Sequence, residues 1–151
     1  MPVPQRDLHA ALGERPGLET SLAGHLRAVL EDGTVEPALK ALCAVMCAGV
    51  NYCQPLLLEH RRRARSLGVT TAKLNALWDF ARSGLYGAAE RAALSCAVAL
   101  SREPRALPPA VWSELRAAYD DGQIAEILCT VGALNYLCRV RNAIDSEIEP
   151  D

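Results

Sequence analysis

The chain has 151 residues, half of them hydrophobic but only 5% aromatic, and its charges nearly balance at a net −2. This length and apolar content predict one domain with a core of Ala, Leu and Val side chains, and they exclude a disordered chain. A chain with nearly balanced charges does not provide the basic surface that nonspecific nucleic-acid binding requires, so we expect no nucleic-acid partner.

Turn residues divide the sequence into six or seven amphipathic helices, and no alternating run is long enough for a strand. The predicted helices are 20–31, 37–49, 53–67, 71–80, 88–100, 109–119 and 124–144. The second is apolar on nearly every side and should lie at the centre. The short connections predict a single all-α bundle over 1–151, with 1–18 as an N-terminal extension and 145–151 as an acidic tail.

The cysteines and the apolar runs indicate the compartment. No apolar run approaches the ~20 residues that span a bilayer, and the first seven residues lack the apolar stretch of a secretory signal. We therefore expect a cytoplasmic protein without a membrane partner, in which the thiols stay reduced. Cys43 and Cys47 lack the further ligands of a zinc site, so we expect no metal and no cofactor. Five of the six cysteines lie in apolar helical patterns: Cys43, Cys47, Cys96, Cys129 and Cys138.

The junction between the second and third predicted helices concentrates the reactive side chains. Cys53 lies at a helix start, where unpaired backbone N–H groups and the helix dipole favour a thiolate. His60 follows seven residues later on the same face, which also carries Leu56 and Leu57. The rise of about 10 Å over seven residues means that Cys53 and His60 need an intervening group to exchange a proton.

Each of these features also has a purely structural interpretation. Cys53 alone fits a buried core thiol, and His60 alone fits a solvent-facing histidine beside a basic run, Arg61 to Arg65. That run fits a solvated helix face, or alternatively an anion clamp for a carboxylate substrate or a contact to the acidic tail. A catalytic role requires Cys53 and His60 to open into one cavity.

Five segments match the sequence pattern of a known family. They are GTVEP at 33–37, the stretch from 53 to 60, ARSLGVT at 64–70, LPPAVW at 107–112 and NYLCR at 135–139. On these segments the chain resembles the carboxymuconolactone decarboxylase and alkylhydroperoxidase D-like family, and we take the resemblance to cover about four-fifths of the chain. The resemblance implies an all-α bundle of the alkylhydroperoxidase D-like type.

The family's site has a glutamate, then a Cys-x-x-Cys pair twelve residues later, and then a histidine after three more residues. Aligned without a gap, Cys53 matches the first cysteine and His60 the histidine. Leu56 stands at the second cysteine and Ala41 at the glutamate. In the family's closing Asn-x-x-Asn-Arg segment, Cys138 replaces the second asparagine.

The resemblance leaves three functions open. The first is hydroperoxide reduction, with Cys53 as the nucleophile, His60 as general acid or base, and an external thiol or a neighbour such as Cys47 or Cys138 resolving the oxidised cysteine. The second is a decarboxylase or isomerase of a small carboxylic acid or lactone that uses His60, with arginines such as Arg61 holding the acid. The third is a non-catalytic protein that binds a small ligand.

Substrate contacts and self-association complete the expectations. We expect the substrate to meet Arg61, Leu56, Leu57 and Cys138. The apolar second and last helices carry more apolar surface than short helices hide from one another, which favours a homo-oligomer. The resemblance implies a trimer or hexamer.

Overall fold

The computed structural model describes residues 8–103 and 105–146, which form eight α-helices and one 3₁₀ turn and contain no strand. This confirms the predicted all-α bundle. Residues 1–7 of the predicted N-terminal extension and 147–151 of the predicted acidic tail lie outside the described residues. The elements in chain order are α1 (Leu8–Gly13), α2 (Pro16–Glu31), α3 (Pro37–Val50), α4 (Gln54–Ser66), α5 (Thr71–Asn75), the 3₁₀ turn (Leu77–Asp79), α6 (Ala88–Arg102), α7 (Pro109–Ala118) and α8 (Asp121–Ser146).

The helices differ from the prediction in four respects. α1 adds a helix to the predicted six or seven, and α2 begins at Pro16 because proline suits the first helical turn. The predicted helix 71–80 divides into α5 and the 3₁₀ turn. α8 includes Gly122 because Asp120 and Gln123 exchange side-chain and backbone hydrogen bonds of 2.8 and 3.1 Å, which cap the helix before the glycine.

α3 is the central helix, as its apolar sequence predicts. Every residue from Leu39 to Ala48 is buried, and α4, α6 and α8 pack around it. At Gly49 the packing is so close that a Cβ atom would lie 1.9 Å from the ring of Trp78. Within the described ranges, no helix has the length and apolar character needed to cross a bilayer.

A buried ion pair connects the start of α3 to α8. Lys40 is 1% exposed, and its Nζ lies 3.1 Å from Oε2 of Glu126 and donates to the carbonyl of Asp32. Glu126 also accepts hydrogen bonds of 2.9 Å from the backbone N–H groups of Thr34 and Val35. These bonds hold the α2–α3 connection against α8.

The same carboxylate explains a glycine in this connection. Partial burial raises the pKa of Glu126, but the two backbone N–H groups and Lys40 outweigh it and lower this pKa to about 2. Gly33 has φ +93°, and a Cβ atom there would lie 2.4 Å from the carboxyl carbon of Glu126. Only glycine fits both the backbone conformation and the space.

Candidate functional site

The chain reverses direction between α3 and α4 in a three-residue connection that ends at Cys53. Tyr52 has φ +55°, in the left-handed region, and its side chain is 91% exposed. The backbone N–H of Cys53 donates to the carbonyl of Ala48 at 2.8 Å, which closes the end of α3. Cys53 is then the residue that precedes the first turn of α4, so the thiol stands at a helix N-terminus.

One face of α4 continues from this thiol into the core. Leu56, His60 and Ala64 follow at intervals of four residues and all are buried, as is Cys53. Leu56 is one turn from Cys53 and one turn from His60, so its side chain lies between the two polar groups. His60 is 4% exposed, which excludes the solvent-facing interpretation.

The environment of His60 keeps its imidazole neutral at pH 7. Burial lowers the pKa of His60 below 6.5; Glu59 opposes this effect and Arg63 adds to it. The Nδ1 atom is buried and has no hydrogen-bond partner among the described residues. A neutral imidazole with an unpartnered ring nitrogen is suited to proton transfer.

The basic run of α4 is mostly a solvated helix face. Arg62 and Arg65 are exposed, and half-buried Arg61 donates to Oδ1 of Asn75 at 3.2 Å. Leu57, another predicted substrate contact, is also half-buried. In the predicted acidic tail, Asp145 pairs with Arg141 on its own helix at 3.0 Å rather than with α4.

Cys138 joins the candidate site from α8. It is fully buried. Burial raises the pKa of Cys138 well above the ordinary thiol value. The neighbouring thiols of Cys53 and Cys47 raise this pKa further, and Arg139 opposes them. The Cys53 and Cys138 thiols are therefore neighbours, although they come from different helices.

An asparagine network holds α8 against the α3–α4 connection. Asn51 donates to Oδ1 of Asn135 at 2.7 Å and to the carbonyl of Cys47 at 2.8 Å. Asn135 donates to Oγ of Ser101 at 3.0 Å, and Asn142 donates to the carbonyl of Asn51 at 2.7 Å. Asn51 and Asn142 were not among the predicted site residues. The seven-residue spacing of Asn135 and Asn142, which puts both on one face of α8, is the sequence feature that could have indicated Asn142.

Four cavities of about 360 to 460 Å³ are lined by described residues. None of these four includes Cys53, His60 or Cys138, so the shared cavity that a catalytic role requires is not among them. The cavity of about 400 Å³ borders the same connection from outside, where Val50, Tyr52 and Trp78 line it. Among the described residues no group of three or more His, Cys, Asp or Glu side chains could hold a metal ion.

Solved structures share this fold over most of the chain. A protein of unknown function from Agrobacterium tumefaciens, with the suggested identity of an antioxidant defence protein AhpD, is 21% identical, with a TM-score of 0.82 over 93% of this chain and 97% of its own. A peroxidase-related protein from Silicibacter sp. TM1040 is 20% identical, with a TM-score of 0.80 over 89% of this chain and 71% of its own. At these identities the likeness shows the fold alone.

The structure of the debrominase Bmp8 is also similar to that of this chain; the compared structure is a cysteine-to-alanine variant in complex with 2,3,4-tribromopyrrole. It is 26% identical, with a TM-score of 0.84 over 93% of this chain and 75% of its own.

A comparison with the sequences of curated proteins gave no significant match. The sequence model of the carboxymuconolactone decarboxylase family matches residues 16–99, which is more than half of the chain. The chain therefore belongs to the carboxymuconolactone decarboxylase family.

Proposed function

We propose that the protein reduces small hydroperoxides with Cys53 as the nucleophilic thiol. The observation that carries this proposal is the thiol at the start of α4 with the Cys138 thiol beside it. The N-terminal end of a helix stabilises negative charge, and an adjacent thiol gives an oxidised cysteine a partner. The family membership and the AhpD-like neighbour support the assignment at the level of the family.

The reaction begins when the Cys53 thiolate attacks one oxygen of the hydroperoxide. The O–O bond breaks, Cys53 becomes a sulfenic acid, and the departing alkoxide takes up a proton to become an alcohol. His60 is the proposed proton carrier because its imidazole is neutral and its Nδ1 is unpartnered among the described residues. About two helical turns separate the two residues, which is more than one water molecule spans, so the proposal requires a chain of at least two water molecules to carry the proton past Leu56.

Burial of the site limits what can reach it. Cys53 is 1% exposed, and none of the four cavities reaches it or His60, so the proposed oxidant is small and the proposal requires an opening that joins both side chains. We further propose that the protein works in the cytoplasm with an external thiol as reductant. A homo-oligomer, trimer or hexamer, would cover exposed apolar side chains such as Leu18, Trp78 and Tyr136.

A second candidate function is proton transfer at His60 without a thiol. The observation that favours it is the two-turn separation of His60 from Cys53, with the apolar Leu56 between them. His60 would then move a proton on a small carboxylic acid or lactone, with Arg61 beside it to bind the carboxylate.

The test measures hydroperoxide consumption and thiol loss in variants that carry Cys129→Ser, because Cys129 is exposed and oxidises independently. We expect Cys53→Ser to abolish the peroxide-dependent loss of thiol, while the matched change at another buried thiol, Cys96→Ser, leaves it unchanged. Peroxide consumption that persists in Cys53→Ser would refute the proposal.

The same variants separate the other functions. Turnover of a small carboxylic acid or lactone that is lost in His60→Ala and kept in Cys53→Ala would identify the second candidate. A brominated pyrrole belongs among the test compounds because of the Bmp8 neighbour. If no compound reacts and Cys53 resists alkylation from pH 6 to 9, the protein is a non-catalytic binder.

A further inference from the structure

We infer that Cys138 is the resolving cysteine of this site and forms a disulfide with Cys53 across two helices. The inference rests on the proposed function of Cys53 and adds a second catalytic residue to it. It also accounts for Leu56, which has no thiol at the position where relatives with a Cys-x-x-Cys site carry their second cysteine.

The hydrogen bonds of α8 determine where Cys138 lies. Asn135, Cys138 and Asn142 are spaced by three and four residues, so they share one face of the helix. Asn135 accepts from the Asn51 side chain, and Asn142 donates to the Asn51 carbonyl, each at 2.7 Å. Cys138 is therefore held between two attachments to a residue that is only two positions before Cys53.

Cys47 is the competing thiol near this connection, and its contacts direct it elsewhere. Its Sγ accepts a hydrogen bond from Nδ2 of Asn135 at 3.9 Å, and its thiol interacts with Ser101. By contrast, Cys138 stands between the two attachments to Asn51, and Cys53 precedes Cys47 among the groups that raise the pKa of Cys138. Cys138 is thus the thiol of α8 that is placed to react with an oxidised Cys53.

The resolving step balances without a further reactant. The sulfur of Cys138 attacks the sulfur of the Cys53 sulfenic acid, the S–S bond forms, and the S–O bond breaks. The hydroxide leaves with the thiol proton as water. One hydroperoxide and two thiols have then given one alcohol, one water and one disulfide, which an external dithiol reduces back to the two thiols.

The buried position of Cys138 sets the pH dependence of this step. Because burial raises the pKa of Cys138, the thiol stays protonated at neutral pH, and only a small fraction is the attacking thiolate. That fraction grows about tenfold per pH unit, so the rate of disulfide formation should rise steeply between pH 7 and pH 9. Arg139, on the same helix, is the charged group that opposes the shift.

The test oxidises the full-length Cys129→Ser protein with hydrogen peroxide and, separately, with oxidised glutathione, and maps the disulfides by mass spectrometry. We expect one disulfide, between Cys53 and Cys138, with either oxidant. Cys138→Ala should instead accumulate a Cys53 sulfenic acid that dimedone traps, whereas Cys47→Ala should still form the disulfide. Circular dichroism of each variant verifies the fold, and Cys138→Ser serves if Cys138→Ala is unstable.

The outcomes separate this inference from the proposed function. If hydrogen peroxide leaves Cys53 reduced but oxidised glutathione yields the disulfide, the peroxidase proposal fails and the dithiol pair stands. If peroxide oxidises Cys53 but the wild-type thiol accumulates as sulfenic acid as much as in Cys138→Ala, the inference is overturned. A disulfide between Cys53 and Cys47, or an absence of any disulfide with both oxidants, overturns it equally.

Discussion

Replacing Glu126 by glutamine measures how strongly the buried ion pair stabilises the fold. The change leaves the Lys40 ammonium, 1% exposed, with the carbonyl of Asp32 but without its counter-charge. A pKa lowered from 4.5 to about 2 corresponds to about 3 kcal/mol, and the 22% exposure of the carboxylate side chain reduces this to about 2. Breaking a buried pair from one side costs about 3 to 5 kcal/mol. We expect a loss of about 2 to 3 kcal/mol.

The assay is urea unfolding at pH 7 and again at lower pH. With a slope of about 2 kcal/mol per molar, typical of small proteins, the Glu126→Gln midpoint should fall by about 1 M at pH 7. Since the folded-state pKa of Glu126 is lowered, its stabilisation is complete above pH 4.5 and is lost as the pH falls toward 2. Wild type and Glu126→Gln should therefore converge in stability at acid pH.

The matched control is Glu103→Gln, the same chemical change in an exposed ion pair with Arg105. Its midpoint should not move measurably, because exposed pairs contribute little. Two results would refute the reasoning. One is a Glu126→Gln midpoint no lower than that of Glu103→Gln at pH 7. The other is a difference from wild type that stays as large at pH 3 as at pH 7.

Three further predictions concern the site and the core. In a Cys138→Ala background, Leu56→Cys puts a thiol one turn from Cys53 without a competing neighbour on α8, so the oxidised variant should carry a disulfide between positions 53 and 56; peptide mapping that finds none contradicts this geometry. Gly49→Ala brings a methyl group into the ring of Trp78, so it should lower the free energy of unfolding by about 1 to 3 kcal/mol and shift the tryptophan fluorescence. An unchanged fluorescence spectrum and melting temperature would contradict this prediction. Burial raises the pKa of the Cys43, Cys47 and Cys96 thiols, that of Cys47 from 9.0 to about 12. The stabilisation from these three thiols is therefore complete below pH 9 and should be lost toward pH 12, and a melting temperature that stays flat over that range would count against buried neutral thiols.

Local patterns predicted the architecture of the fold well. The apolar run of α3 predicted a central helix, and Pro55 predicted that a helix begins beside Cys53, because proline is accommodated in a first turn. The sequence did not predict the Lys40–Glu126 pair. Two charged residues far apart in sequence show no sign of their contact, which arises only when α3 packs against α8.

The candidate site was predictable only along one helix. The seven-residue spacing of Cys53 and His60 predicted that both share one face, and both side chains are buried in the structure. The burial of His60 was not predictable, because its charged neighbours, among them Arg61, suggest a solvated position. The approach of Cys138 to Cys53 depends on the asparagine contacts of α8, which link segments far apart in sequence.

The attachment of both ends of α3 to α8 bears on how the chain folds during synthesis. Near its start, α8 contacts the α2–α3 connection through Glu126, and further along it holds the end of α3 through Asn135 and Asn142. A nascent chain on the ribosome therefore exposes the apolar surface of its central helix until α8 has left the exit tunnel. We expect such an intermediate to be prone to aggregation, because transiently exposed apolar surface has this effect in general.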